Sequence, residues 1–129
     1  MYYGLQGLTF NALRAANLAR LPQFRNSKGE VSHTSSLGND WSPAQWLQAV
    51  VGELGEYANF RKKYERGDID YPTFVNAAKR ELADVVTYLD ILAAQLGIDL
   101  GEATMQKFNE VSVRVGSNVR LVPADVSVI

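Results

Sequence analysis

The chain has 129 residues, of which 47% are hydrophobic, and its formal net charge is −1. This length and apolar content are typical of one domain with a buried core, and the charge balance gives no electrostatic case for a nucleic-acid partner. Because the chain has no cysteine, disulfides, zinc–thiolate sites and cysteine nucleophiles are excluded. We expect a single domain over residues 1–129, with a core at about 9–116 and a C-terminal arm at 117–129.

The N-terminal ten residues lack the basic region and the apolar run of a signal peptide. No stretch approaches the ~20 uninterrupted apolar residues that cross a bilayer as a helix. We therefore expect a cytoplasmic protein without a membrane partner.

The first predicted helix spans Thr9 to Leu21, where Phe10 and several alanines and leucines recur with a helical period. Thr9 is a suitable N-cap, and Pro22 is expected to stop the helix. The polar stretch 25–40, rich in Ser, Gly and Asn, is predicted to be a loop. Loops of this length in small domains are usually functional or disordered.

The second predicted helix spans 42–66, and the third spans 72–96. Ser42 followed by Pro43 is a typical N-cap and first helical residue. Gly67 and Gly97 stand where each helix is expected to end. The fourth helix is predicted to begin after Asp99, with Glu102 three residues later, and to end near Gly116. Four helices and little credible strand predict an all-α fold, specifically a four-helix bundle.

Two pairs of acidic residues carry the strongest chemical signal: Glu53 with Glu56, and Glu81 with Asp84. Residues three apart lie on one face of a helix, so each pair directs two carboxylates the same way. Two such helices side by side would cluster four negative charges, which is unfavourable without a counterion. Mg²⁺ takes oxygen ligands and keeps waters and substrate phosphates in its shell. The spacing therefore predicts a magnesium site for a phosphorylated substrate.

Both pairs are predicted at the edge of a core-facing apolar stripe, with about 100° per residue. On the third helix, Ile91 is predicted to be exposed opposite the stripe, and Asp90 is predicted to point to the far side. A single Glu-x-x-Glu is usually a solvated face, but two pairs at the edges of two stripes favour a metal site. The residues of the two stripes are Trp46, Leu47, Val50, Val51, Leu54 and Tyr57 on the second helix and Leu82, Val85, Val86, Leu89, Leu92, Ala93 and Leu96 on the third.

The acidic pattern, with its 24-residue spacer, resembles the signature of the MazG-like all-α nucleoside triphosphate pyrophosphohydrolases. The flanking sequence, over about residues 41 to 120, is similar to that family as well. The matching segments read WSP at 41–43, VGELGE at 51–56, ELADV at 81–85, LGIDL at 96–100 and KFNE at 107–110, followed by Arg114. The short single-domain form is similar to phage-encoded members, which would act in the host cytoplasm.

The resemblance implies cleavage of a nucleoside triphosphate between its α and β phosphates, giving a monophosphate and pyrophosphate. It also implies that Glu53, Glu56, Glu81 and Asp84 bind Mg²⁺ or Mn²⁺, with two or more ions per site, and that water attacks the α-phosphorus. Glu53 is the candidate catalytic base because it lies nearest the buried edge. Relatives of this type imply a homo-oligomer, a dimer or a tetramer.

Six further positions are candidate substrate contacts, each with a structural alternative. Lys107, Asn109 and Arg114 lie in the segment that resembles the family, and Arg114 is suited either to a phosphate or to a surface ion pair. Lys63 would meet the β and γ phosphates or only cap a helix end. Asn17 and Trp41 would line a nucleobase pocket, although a buried amide also serves as a backbone cap.

Several functions remain open from the sequence. The similarity to phage-type members favours purine substrates such as dGTP. The alternatives are dUTP, dCTP or phosphoribosyl-ATP within the same superfamily. A different class of hypothesis is a non-catalytic helical interaction module in which the acids only solubilise a bundle.

Overall fold

The computed structural model describes residues 7–124, and within them the chain is all-α with four helices, as predicted. A short 3-10 turn, Leu21–Gln23, extends the first helix. Residues 7–124 contain no strand, and an isolated antiparallel bridge joins Arg25 to Val31 in the long loop. The four helices are α1 Phe10–Arg20, α2 Pro43–Glu65, α3 Tyr71–Gln95 and α4 Leu100–Arg114.

Each helix begins at a polar side chain that satisfies a free backbone N–H. Side-chain oxygens of Thr9, Asp70 and Asp99 each accept the N–H three residues later. At α2, Ser42 and Gln45 form a reciprocal capping box. The caps at Thr9, Ser42 and Asp99 are confirmed. The third helix begins slightly earlier than predicted because Asp70 provides a cap ahead of the proline.

Helices α2 and α3 form a long antiparallel hairpin, and α1 packs against α3. Five residues connect the hairpin, and Gly67 among them has a φ of +79°, a conformation that favours glycine. Helix α4 contacts α1 and α3 near the start of α1, where Gly101 lies against Phe10. The acidic pairs therefore lie on the two helices that contact each other most extensively.

The buried core lies where α1, α2 and α3 meet. Leu21, Trp46 and Ile91 form its centre and are each at most 3% exposed. The prediction that Ile91 is exposed was wrong, because the end of α1 and the ring of Trp46 pack on that side of α3. Around this centre pack Trp41, Ala49, Tyr88 and Leu92.

The prediction that both apolar stripes are buried was also wrong in part. Val50 is buried, but seven other members of the stripes are between 39% and 56% exposed. Helix α1 packs on a different side of α3, and no helix of residues 7–124 covers the side of the hairpin that carries these residues. One of them is Leu96, at the C-terminal end of α3. The other six, which we call the open stripe, are Leu47, Val51, Leu54, Leu82, Val86 and Leu89.

A buried ion pair fixes α1 on α3. Asp90 is 1% exposed, and the Arg14 Nε atom donates to both of its oxygens at 3.1 and 3.2 Å. Asn17 donates to the same carboxylate at 3.1 Å and to the carbonyl of Thr87 at 3.2 Å. Arg14 also reaches the carbonyl of Ile98 at 2.8 Å. Because a buried charge needs such partners, the amide nitrogen of Asn17 is already used, and a substrate contact for Asn17 stays a prediction.

The C-terminal segment after α4 follows that helix back. Asn109 accepts the N–H of Leu121 at 2.8 Å and donates to its carbonyl at 3.0 Å. The predicted arm is thus anchored at Leu121, and its last residues, 125–129, lie outside the described residues. No helix in the described part is long and apolar enough to cross a membrane.

Candidate active site

The four acidic side chains face one another across the α2–α3 hairpin. One carboxylate oxygen each from Glu53, Glu81 and Asp84 lies within 4.8 Å of the other two. Glu56, one turn beyond Glu53, is near enough to Glu81 to raise the pKa of its own carboxyl group. Glu53 and Glu81 are half-buried, whereas Glu56 and Asp84 are exposed. The structure therefore brings together all four acids that the sequence singled out.

Two buried oxygens at the centre of this cluster have no hydrogen-bond partner within residues 7–124: Glu53 Oε2 and Glu81 Oε2. Ionised carboxylates only accept hydrogen bonds, so two facing carboxylates cannot satisfy each other. Buried polar atoms without partners are rare in proteins and indicate an ion, a water or a catalytic role. An all-carboxylate donor set with open sides suits a hard divalent cation such as Mg²⁺ or Mn²⁺.

The pKa values of the cluster reflect the unfavourable proximity of its carboxylates. Glu81, which would accept a hydrogen bond from a protonated Glu53, together with burial and the charges of Glu56 and Asp84, raises the pKa of Glu53 to about 7. The pKa of Glu56 is also raised, chiefly because a protonated Glu56 would donate a hydrogen bond to the neighbouring Glu81. A proton on Glu53 would thus take the place of a cation near neutral pH, because either one separates the facing oxygens. Cation binding must displace that proton.

We predict that Mg²⁺ raises the melting temperature more at about pH 8 than at about pH 6. The pKa of Glu53 is raised from 4.5 to about 7, so the metal-free folded chain binds more protons than the unfolded chain between these values. The stabilising contribution of this group is therefore present at low pH and lost as pH rises through 7. Mg²⁺ binds the ionised carboxylates that remain.

Thermal melts with Mg²⁺, compared with NaCl of equal ionic strength, measure this difference. In Glu53→Gln the dependence on pH should flatten, because the proton that competes with the cation is gone. An equal Mg²⁺ effect at both pH values in wild type would contradict the proposed coupling.

Two glycines flank Glu53 on α2, and the space beside them is open. A Cβ built at Gly52 or Gly55 meets nothing within 4 Å. Glycine inside a helix costs about 1 kcal/mol relative to alanine, and no packing contact among residues 7–124 requires either one. These glycines leave room beside the acids for a ligand or another chain.

A cluster of aromatic rings lies next to the acids. His33 stacks on Trp46 with ring centroids 5.1 Å apart, and Trp41 meets the same two rings at 4.8 and 4.6 Å. Tyr88 of α3 lies 6.2 Å from Trp46. Trp41 therefore lies beside other aromatic rings, and its contact with a nucleobase stays a prediction; His33 is buried. Its position between two tryptophans depends on how the loop folds, so no sequence pattern indicated it.

The loop that carries His33 and Trp41 is held by Gly38 and Gln95. The Gly38 carbonyl accepts the indole N–H of Trp46 at 2.9 Å and the amide of Gln95 at 3.3 Å. Gln95 also donates to the carbonyl of Trp41. Gly38 has a φ of +72°, and a Cβ there would lie 2.9 Å from Trp46 Cζ2, so glycine is required. The loop is therefore fixed on the ends of α2 and α3.

Tyr88 connects the acidic and aromatic clusters. The pKa of its phenol is raised, first by burial and then by the negative charges of Glu53 and Asp84, while Arg20 opposes this shift. Tyr88 thus has an aromatic neighbour on one side and carboxylates on the other. The two clusters form one continuous surface along α3.

The remaining predicted substrate contacts are not gathered at this surface within one chain. Lys63 lies two turns beyond Glu56 on α2, with its Nζ 5.4 Å from the Phe60 ring. On α4, Lys107 pairs with Glu110 at 3.2 Å. Asn109 holds the C-terminal segment, as described above. Arg114 forms no ion pair within residues 7–124, and the roles of these α4 side chains stay predictions.

Comparison with known proteins gives one informative similarity. The chain is 37% identical over 78 residues to dCTP pyrophosphatase 1 of Mus musculus, an alignment that covers 54% of this chain. The chain spans only 46% of the length of that relative. No protein-family model matches the chain, and no solved structure matches it. The chain is thus a distant, partial homologue of a nucleotide pyrophosphatase, with the acidic cluster described above at the centre of its helical hairpin.

Proposed function

We propose that this chain is a divalent-metal-dependent nucleoside triphosphate pyrophosphohydrolase of the MazG-like type. The observation that carries the proposal is the four-acid cluster, in which two buried carboxylate oxygens lack partners. The homology to a dCTP pyrophosphatase supports the same reaction class. The products would be a nucleoside monophosphate and pyrophosphate.

In this mechanism the protein provides positions and charges rather than a nucleophile. Glu56, Glu81 and Asp84, together with Glu53, would hold Mg²⁺ or Mn²⁺, which neutralises phosphate charge and makes water a better nucleophile. Glu53 is also the proposed base, because its carboxyl group is half-buried and has a pKa near neutrality. Its Oε2 would accept the proton of the attacking water. Lys63, Lys107, Asn109 and Arg114 are the proposed phosphate contacts.

The aromatic cluster is the proposed nucleobase site. Stacking on Trp41 would be available to any base, since every base has a π face, and the buried ring of His33 would support Trp41. This arrangement leaves two substrates to be tested first. The name of the homologue favours dCTP, whereas the similarity to phage-type proteins favours purines such as dGTP.

We also propose that the protein is a homo-oligomer. The open stripe is a contiguous apolar face on α2 and α3, and such faces on soluble chains are contact surfaces. Gly55 and Ala58 border this stripe on α2, and small residues there permit close approach of another helix. On a helical wheel the stripe and the acids lie on opposite sides of the α2–α3 contact, so a partner would leave the acids open.

A panel of nucleotides tests the proposed reaction. Wild type is incubated with each common dNTP and NTP plus Mg²⁺ or Mn²⁺, and the products are separated by ion exchange. We expect monophosphate and pyrophosphate from dCTP or dGTP, with no turnover in EDTA. Diphosphate and orthophosphate as products would contradict the mechanism. A non-catalytic interaction module would instead give no product and no metal-dependent melting shift.

A further inference from the structure

A cationic side chain that was not among the predicted contacts lies beside the candidate active site. Arg20 is the last residue of α1, and its Cζ lies 5.4 Å from the centroid of the Phe24 ring. Within residues 7–124 its guanidinium forms no hydrogen bond and no ion pair. The helix dipole alone favours an exposed arginine at a helix C-terminus. Whether Arg20 also binds a ligand must therefore be argued from its location.

That location is the junction of the acidic and aromatic clusters. The next residue, Leu21, is 1% exposed and belongs to the core centre against which Tyr88 and Trp41 pack. The last turn of α1 therefore rests on the aromatic cluster. At the phenol of Tyr88, the positive charge of Arg20 acts against the negative charges of the acids. Arg20 is thus a positive charge that α1 places within electrostatic reach of Tyr88, the residue that joins the acidic and aromatic clusters.

The contact with Phe24 orients the guanidinium of Arg20 so that it can bind an anion. Stacking uses the face of the guanidinium and leaves its N–H edges free. Phe24 is itself packed edge-on against His33, with centroids 6.3 Å apart and an interplanar angle of 87°. A guanidinium held in this way loses little side-chain freedom when it binds a phosphate through two parallel hydrogen bonds. Arg25 differs, because its guanidinium donates to the carbonyls of Pro22 and Phe24.

We propose that Arg20 binds the α-phosphate of the nucleotide. In a nucleotide the α-phosphate joins the sugar, which carries the base, to the remaining phosphates. With the base on Trp41 and the phosphates at the acids, the α-phosphate would lie between the two clusters, on the side of Tyr88 where α1 places Arg20. This inference rests on the proposed function, and it adds a residue from α1 to the site.

Calorimetric binding of dCMP and dGMP, and of the corresponding nucleosides, in the presence of Mg²⁺ tests this assignment. The variants are Arg20→Gln and Arg20→Lys, with Lys28→Gln as the control, because Lys28 is an exposed cation in the nearby loop. We expect Arg20→Gln to weaken monophosphate binding and kcat/KM by about 10- to 100-fold. Its affinity for nucleosides should not change. Arg20→Lys should lie between wild type and Arg20→Gln, since lysine keeps the charge without the planar fork.

Three outcomes would overturn the assignment. Equal monophosphate affinity in Arg20→Gln and Lys28→Gln would remove Arg20 from the site while leaving the proposed reaction intact, provided that wild type still releases pyrophosphate. A structural role would be indicated if Arg20→Gln lost affinity equally for the nucleoside and the monophosphate. It would also be indicated if Arg20→Gln melted at a lower temperature and Arg20→Lys restored this temperature only together with nucleoside binding. If wild type binds no nucleotide and cleaves none, the assignment fails together with the proposed function.

Discussion

Glu53→Gln is expected to lower turnover by at least about 10³-fold, which combines the loss of a base with the loss of a metal ligand. The substitution keeps the size and hydrogen-bonding shape of the side chain but removes its charge. Glutamine also donates a hydrogen bond to Glu81, so the metal-free variant should melt no lower than wild type. The rise in melting temperature with Mg²⁺ should be largely lost.

Glu30→Gln is the matched control for this change. Glu30 lies exposed in the long loop, where its backbone N–H, not its carboxylate, bonds to Asn26. This variant should retain the activity and the Mg²⁺ response of wild type. If Glu53→Gln also kept the wild-type rate, the acidic cluster would not be the catalytic centre, whatever reaction the protein catalyses.

Val51→Asp is expected to dissociate the proposed oligomer into monomers. Val51 lies in the middle of the open stripe and is 56% exposed in the single chain. A carboxylate buried there against apolar side chains would be desolvated without a partner. We expect the dissociation constant to rise by at least about 10²-fold. Sedimentation at several protein concentrations measures this change directly.

The control for that experiment is Asn59→Asp, which adds the same charge outside the open stripe, about 80° around α2 from Val51. Asn59 is exposed and about 180° around the helix from Val50. This variant should sediment as wild type does. Wild-type protein that sediments as a monomer at all concentrations would refute the proposed homo-oligomer, and the open stripe would then need another occupant.

The sequence predicted the helices and the acidic cluster well because both depend on local rules. Caps such as Ser42 and the three-residue spacing of the acids are legible within one or two turns of helix. The hairpin then follows from a short connection, and it aligns Glu53 with Glu81. The cluster needed no information beyond periodicity and the lengths of α2 and α3.

What the sequence did not predict depends on contacts between distant segments. Ile91 and Asp90 are buried because α1 packs on that side of α3, with Arg14 and Asn17 as partners of the carboxylate. Helical periodicity gives the angles of side chains but not which side a third helix covers. His33 became part of the aromatic cluster through the fold of an irregular loop, for which no periodic signal exists.

Hydrolysis in H₂¹⁸O tests the central claim most directly. Wild type is supplied with dCTP and dGTP in the presence of Mg²⁺, and the separated products are analysed by mass spectrometry. Water attacking the α-phosphorus would place ¹⁸O in the monophosphate and leave the pyrophosphate unlabelled. Label in pyrophosphate or orthophosphate, or no hydrolysis of any nucleotide in the panel with either metal, would contradict the account.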